Sequence, residues 1–150
     1  MGDELVAMVG TRQCIRHVNA SITATLETMN RSVIVVTGCA GGVDAHVKRE
    51  CKRLGFRLIV CHARQTNGKW THKGAGIERN TVVARLAQRA IVWPATPEFP
   101  EEQRELSAGS WNVVDQFRDR KKPVEVKDVA WATRSLPVPD GRDSAERVTR

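Results

Sequence analysis

The sequence predicts an α/β domain in which a parallel sheet lies between two layers of helices. Five short apolar, β-branched runs recur along the chain: "LVAMV" (5–9), "VIVVT" (33–37), "RLIVC" (57–61), "AIVW" (90–93) and "PVEV" (123–126). Unbroken apolar runs of this length suit strands covered on both faces. Between them lie helix-length segments at roughly 15–30, 43–54, 79–88 and 110–120. Strand–helix alternation of this kind builds a parallel sheet flanked by helices.

Each element has a local reason. The first strand runs into the turn Gly10-Thr11-Arg12, and the second into "TGCAGGVD", which opens directly onto a helix. Gly55 falls where a C-terminal cap of that helix belongs. Basic residues gather in "KRECKR" (Lys48, Arg49, Lys52, Arg53) and "RDRKK" (Arg118, Arg120, Lys121, Lys122), at the back ends of helices, where positive charge offsets the macrodipole. The connections 62–78 and 94–108 are longer than α/β loops usually are, which marks them for function. The domain is expected over residues 1–126. Residues 127–150, with two prolines in "LPVP" and mixed charge, read as an extended or partly disordered tail in which Trp131 and Leu136 are candidates to dock on the body.

Composition bounds the function. A chain of 150 residues with 41% hydrophobic and 27% charged residues has the makings of one packed domain. The start, "MGDELVAMVGTRQC", carries Asp3 and Glu4 and only a short apolar run, so neither a signal peptide nor a membrane span is expected, and the setting is expected to be cytoplasmic. Cys14, Cys39, Cys51 and Cys61 form no C-x-x-C pair. His62 and His72 flank a loop near Cys61 without tetrahedral spacing, so no metal site is expected. The net charge of +7, from 24 Lys and Arg against 17 Asp and Glu, favours phosphorylated or polyanionic partners.

Ligands of open parallel sheets sit beyond the carboxyl ends of the strands. The candidate site residues therefore lie in the turns at those ends. Gly10, Thr11 and Arg12 follow the first strand. Gly38, Cys39, Ala40, Gly41, Gly42 and Asp44 follow the second, where small residues and a helix N-terminus suit a phosphate. Neither G-x-G-x-x-G nor a P-loop is present in this turn. Asp44 is also placed to stabilise the first helical turn, and His46 to pack partly buried. In "NGKWTHKGAGIERN" a glycine-containing loop brings Trp70, a candidate to stack on a base, and delivers Arg79 and Asn80 to the start of another helix, where Arg can fork onto phosphate and Asn can bond ribose or base. In "ELSAGSWNVV", Ser107, Gly109 and Ser110 precede a helix and offer hydroxyl and N–H groups. Asp44 and Glu78 are the carboxylates these motifs bring near the crevice and the candidates for a general base.

These motifs resemble the SLOG superfamily of Rossmann-like nucleotide-binding proteins, which includes DprA and the lysine-decarboxylase-like LOG proteins, cytokinin-activating enzymes. The likeness is nearest to its YspA-type branch, over about residues 5–126. Gly10-Thr11-Arg12 matches the family's Gly-Ser/Thr-Arg turn, and Thr37 through Asp44 its small-Gly-Gly-Ala-Arg-Gly-Ala-Asp turn. Trp70 matches its Trp-bearing loop, Ala75 through Asn80 its Ala-Gly-x-x-Arg-Asn motif, and Ser107 through Ser110 its last glycine-rich turn. Gly41 stands where the family often has Arg, and Val113 where the cytokinin-activating enzymes place a catalytic Glu, so base release by their route is not expected. The resemblance implies a three-layer sandwich around a mainly parallel five-stranded sheet of order 3-2-1-4-5, and a homo-oligomer. It implies binding of a nucleotide or nucleotide-derived molecule, ADP-ribose-like or a nucleoside phosphate, with no certain cofactor. A DprA-like single-stranded DNA module is the alternative, with a nucleotide hydrolase as a third. The low aromatic content of 5%, with no Tyr, counts against the DNA reading.

Overall fold

The computed structural model describes residues 3–13, 16–66, 69–70 and 74–127, with the backbone alone for Gln65, Thr66 and Trp70. Its elements run β1 (Leu5–Gly10), α1 (Arg16–Thr28), β2 (Ile34–Thr37), α2 (Val43–Leu54), β3 (Arg57–Val60), β4 (Gln65–Thr66), β5 (Lys69–Trp70), α3 (Ala75–Leu86), β6 (Arg89–Trp93), α4 (Glu101–Glu105), α5 (Ala108–Asp119) and β7 (Val124–Val126). The main sheet has the order β3-β2-β1-β6-β7, and every pairing in it is parallel. This is the 3-2-1-4-5 order expected, with β4 and β5 set apart as a small antiparallel hairpin.

Alternation along β1 divides the core. Val6 and Met8 face one layer, where Val18, Ile22 and Leu26 of α1 and Val43, Val47 and Cys51 of α2 cover them. Ala7 and Val9 face the other, against Val83 and Ala84 of α3 and Trp111, Val114 and Phe117 of α5. The small side chains of Ala7, Ala84 and Ala90 let that second layer approach closely, while Trp93 fills the first. Helix α2 shows how the local sequence does this: Val43, Val47 and Cys51 recur every fourth residue and are buried, as one helix face requires. Its last turn holds Lys52 and Arg53, and it ends at Gly55, whose φ of 84° is left-handed and whose N–H donates to Cys51 O at 2.9 Å.

The structure departs from the sequence reading in four places. Helix α3 starts at Ala75, so Arg79 and Asn80 lie in its second turn instead of at its start. Helix α5 starts at Ala108, so Gly109 and Ser110 belong to its first turn. The connection 62–78 contains the β4–β5 hairpin, and 94–108 contains α4, which buries none of its residues. The expected tail beyond Lys127, with Trp131 and Leu136, lies outside the described residues, as do Cys14 and His72. Among the described residues no helix is long and apolar enough to cross a membrane.

Candidate functional site

Parallel pairing brings the carboxyl ends of β1, β2, β3 and β6 to one edge of the sheet, and the turns that follow them form a crevice. The wall over β1 and β2 is a seam between two turns. Thr11 N–H donates to Trp93 O at 2.9 Å, and Thr11 O in turn accepts from Val43 N–H, the first residue of α2, at 3.0 Å. Gly42 makes this approach possible. Its φ is 67°, and a Cβ there would overlap the backbone of Arg12 and stand 2.5 Å from Thr11 O. The N-terminus of α2 therefore spends one of its donors on the chain itself, which the reading of this turn as a bare phosphate cradle did not foresee.

Beside the seam, Asp44 and Arg79 meet. Asp44 is only 2% exposed, and its Oδ2 accepts from Ala40 N–H at 3.2 Å. Burial pushes this carboxyl up to about 6, against the pull of Arg79 and of the Ala40 and Gly10 N–H groups. Its Oδ1 is buried with no hydrogen-bond partner. Thr37, beside it, gives its own hydroxyl proton to Met8 O at 2.6 Å, which leaves that hydroxyl an acceptor toward Asp44. A proton on Oδ1 would supply that donor, so the geometry and the raised pKa agree. Asp44 thus does more than stabilise a helix end. It forms the buried floor of the crevice.

Arg79 is held from two sides. Its Nε donates to Asn80 Oδ1 at 3.0 Å and its Nη1 approaches Cys39 Sγ at 3.4 Å. Cys39 Sγ also receives Ala63 N–H at 3.3 Å, which ties the turn after β2 to the chain after β3. Asn80 is 4% exposed. Its amide donates to Asn112 Oδ1 at 3.1 Å and Gly109 O at 3.4 Å, so its role is to lock α3 to α5 and orient Arg79. Cys61 is buried, and burial raises its thiol pKa, which suits a packing residue better than a nucleophile.

Ser107 and Ser110 are buried, and Ser107 Oγ accepts Ala95 N–H at 2.9 Å, so Ser107 closes its own loop. Gly109 lines an open pocket of about 250 Å³ together with Ile77, Ala108 and Asn112. Gly41 is exposed, with open space where a side chain would stand. Trp70 lies on β5 of the hairpin, and its side chain is outside the described residues. Glu78 is bound by Arg64 through both oxygens, at 2.7 and 2.9 Å. His46 is half-buried, with Nε2 3.3 Å from Thr23 Oγ1 of α1. No cluster of three metal-ligating side chains exists among the described residues.

Arg64, Thr37 and Asn112 were not among the expected site residues. Arg64 was findable as a basic residue in the long connection after β3. Thr37 reads as the end of a strand, and Asn112 as a helix surface residue, until the packing of α3 on α5 is known.

An open parallel α/β sheet of this strand order, with helices on both faces, is a Rossmann-like architecture. Solved structures with this fold include DNA processing protein A (DprA) from Streptococcus pneumoniae, with a TM-score of 0.68 at 16% identity over 95% of this chain and 58% of that one. Another is DprA from Helicobacter pylori, described for its single-stranded DNA binding mode, with a TM-score of 0.59 at 16% identity over 83% of this chain and 65% of that one. The fold is therefore DprA-like, and the chain spans less than two thirds of either DprA chain. No protein-family model and no curated protein matches the sequence.

Proposed function

We propose that the strand-end crevice binds single-stranded nucleic acid through its phosphates. The observation that carries this is the set of arginines carried by the strand-end turns and the helix beside them: Arg12 after β1, Arg64 after β3 and Arg79 on α3. Of the carboxylates beside them, Asp44 is buried, and Glu78 is paired with Arg64, a pairing that a phosphate on Arg64 has to share. Phosphate diesters present what arginine forks recognise, and a net charge of +7 adds long-range attraction. The shared fold with DprA, one of whose structures is described for binding single-stranded DNA, supports the same reading.

Anisotropy titration of a labelled oligothymidylate across salt tests it. Each phosphate contact on a single strand contributes a slope of about −0.7 in log K against log salt. Binding that weakens with a slope of about −2 or steeper is expected, with Arg12→Ala and Arg64→Ala each flattening it by about 0.7. Absent or salt-independent binding overturns the proposal.

A second reading, a mononucleotide or ADP-ribose-like ligand, would use the pocket of about 250 Å³ beside Gly109, which Arg104, Glu105 and Asp115 also line. Competition separates the two. A mononucleotide that displaces the oligomer at equal nucleotide concentration supports the small-molecule reading, whereas affinity that climbs with oligomer length supports the strand. Hydrolysis gains no support from the carboxylates. Asp44 is buried and both oxygens of Glu78 are engaged by Arg64, so neither stands ready as a general base.

A further inference from the structure

The outward face of α3 has a pattern that its own fold does not use. The exposed residues of this helix are Ile77, Glu78, Val82, Arg85 and Leu86, and Thr81 between them is half-buried. Together they make two neighbouring i, i+4 rows, 77/81/85 and 78/82/86, opposite the buried Asn80, Val83 and Ala84. Ile77, Val82 and Leu86 are 55%, 46% and 40% exposed, an unusual concentration of large apolar side chains on one stretch of surface helix.

The order of these residues is self-complementary. Laid antiparallel on a copy of itself about a two-fold axis between Thr81 and Val82, α3 sets Ile77 against the second copy's Leu86, Glu78 against its Arg85, and Thr81 against its Val82. Apolar groups then meet apolar groups, and opposite charges meet at both ends. We infer that this face of α3 is the interface of a homodimer with an isologous, antiparallel α3–α3 contact. Interdigitated i±4 rows are the commonest way for two helices to pack, and a two-fold contact requires this kind of reciprocity from one surface. The Glu78–Arg85 pairs set the antiparallel register, because a parallel pairing brings Glu78 to Glu78 and Arg85 to Arg85. The contact lies on the face of α3 opposite the buried Asn80, and it shares Ile77 with the pocket beside Gly109.

Sedimentation equilibrium of the full chain tests this. The expected mass is twice the 16.7 kDa of the chain. Glu78→Arg and Arg85→Glu should each give a monomer, by bringing like charges together, and the double variant E78R/R85E should restore the dimer. Circular dichroism confirms folding of each. Val82→Lys supplies an independent arm that leaves the Arg64–Glu78 contact intact: it places two ammonium groups at the axis and should also yield a monomer. A wild-type monomer at every concentration overturns the inference. So does a dimer that survives Val82→Lys, or single charge variants whose dimer the double swap fails to restore.

Discussion

Asp44 and Arg79 close over Gly38 so tightly that the glycine is part of their contact: a Cβ at Gly38 would stand 2.6 Å from Asp44 Oδ2 and 2.7 Å from Arg79 Nη1. Gly38→Ala must therefore push the pair apart. Since Asp44 is buried, the displacement is expected to cost about 1–3 kcal/mol, read as a lower urea midpoint. Misplacing Arg79 should also weaken oligonucleotide binding. Unchanged stability and binding together would show that the pair yields freely.

The neighbouring glycines separate cleanly. Gly42→Ala forces a side chain into left-handed backbone and into the backbone of Arg12, with an expected loss of about 3 kcal/mol or more. Gly41 has open space around it. Gly41→Arg adds a guanidinium to that open space, and should leave the melting temperature nearly unchanged while tightening oligonucleotide binding in low salt. Equal destabilisation by both changes would contradict the geometry.

The pH dependence of folding has two opposed parts. Asp44 has its folded pKa raised from 3.8 to about 6. Its contribution to stability is full below pH 3.8 and is lost as pH rises through 6, amounting to about 3 kcal/mol. Glu50 is the reverse: hydrogen bonds from Arg53 and Thr23 lower it from 4.5 to about 2, so its contribution is present above 4.5 and lost as pH falls through 2. Urea unfolding at a series of pH values should show wild-type stability declining from pH 4 to pH 7. Asp44→Asn should flatten that decline, and Glu50→Gln should leave it in place while removing part of the loss in strong acid. A decline of the same size in Asp44→Asn would assign it to another group.

Asn80→Ala removes one of the two amide donors to Asn112 Oδ1, the other being Gln116 Nε2 at 3.2 Å, and takes away the oxygen that Arg79 Nε bonds, in a position 4% exposed. A loss of about 1–3 kcal/mol is expected, with weaker oligonucleotide binding through the loosened Arg79. Thermal melts and anisotropy measured on the same preparation check both parts.

Much of this architecture can be read from the sequence because burial on both faces leaves a strong mark. All five strands of the main sheet appear as apolar runs, and Val43, Val47 and Cys51 announce the helix between two of them. The elements that left no such mark were missed. "EEQRE" of α4 contains no apolar residue to set a period, and the hairpin strands are too short to alternate. The start of α3 was misplaced because Gly74 and Gly76 read as loop, although Gly76 sits inside the first helical turn. Within the site, residue types pointed to Arg79 and Asn80, but their partnership with Asp44, Cys39 and Asn112 depends on contacts between residues distant in sequence. Ser107 and Ser110 carry the same lesson: a hydroxyl in a turn suggests a ligand, whereas here both are buried and the Ser107 hydroxyl closes its own loop.

The seam in which Gly42 meets the Arg12 backbone and Val43 N–H meets Thr11 O has a mechanical meaning. Two loops that arise from different strands share one hinge point, so neither can swing without carrying the other and the head of α2 with it. Substitutions on opposite sides of that seam should couple instead of adding. The width of the crevice on this side is consequently a single adjustable quantity, set by how Thr11 seats on the helix.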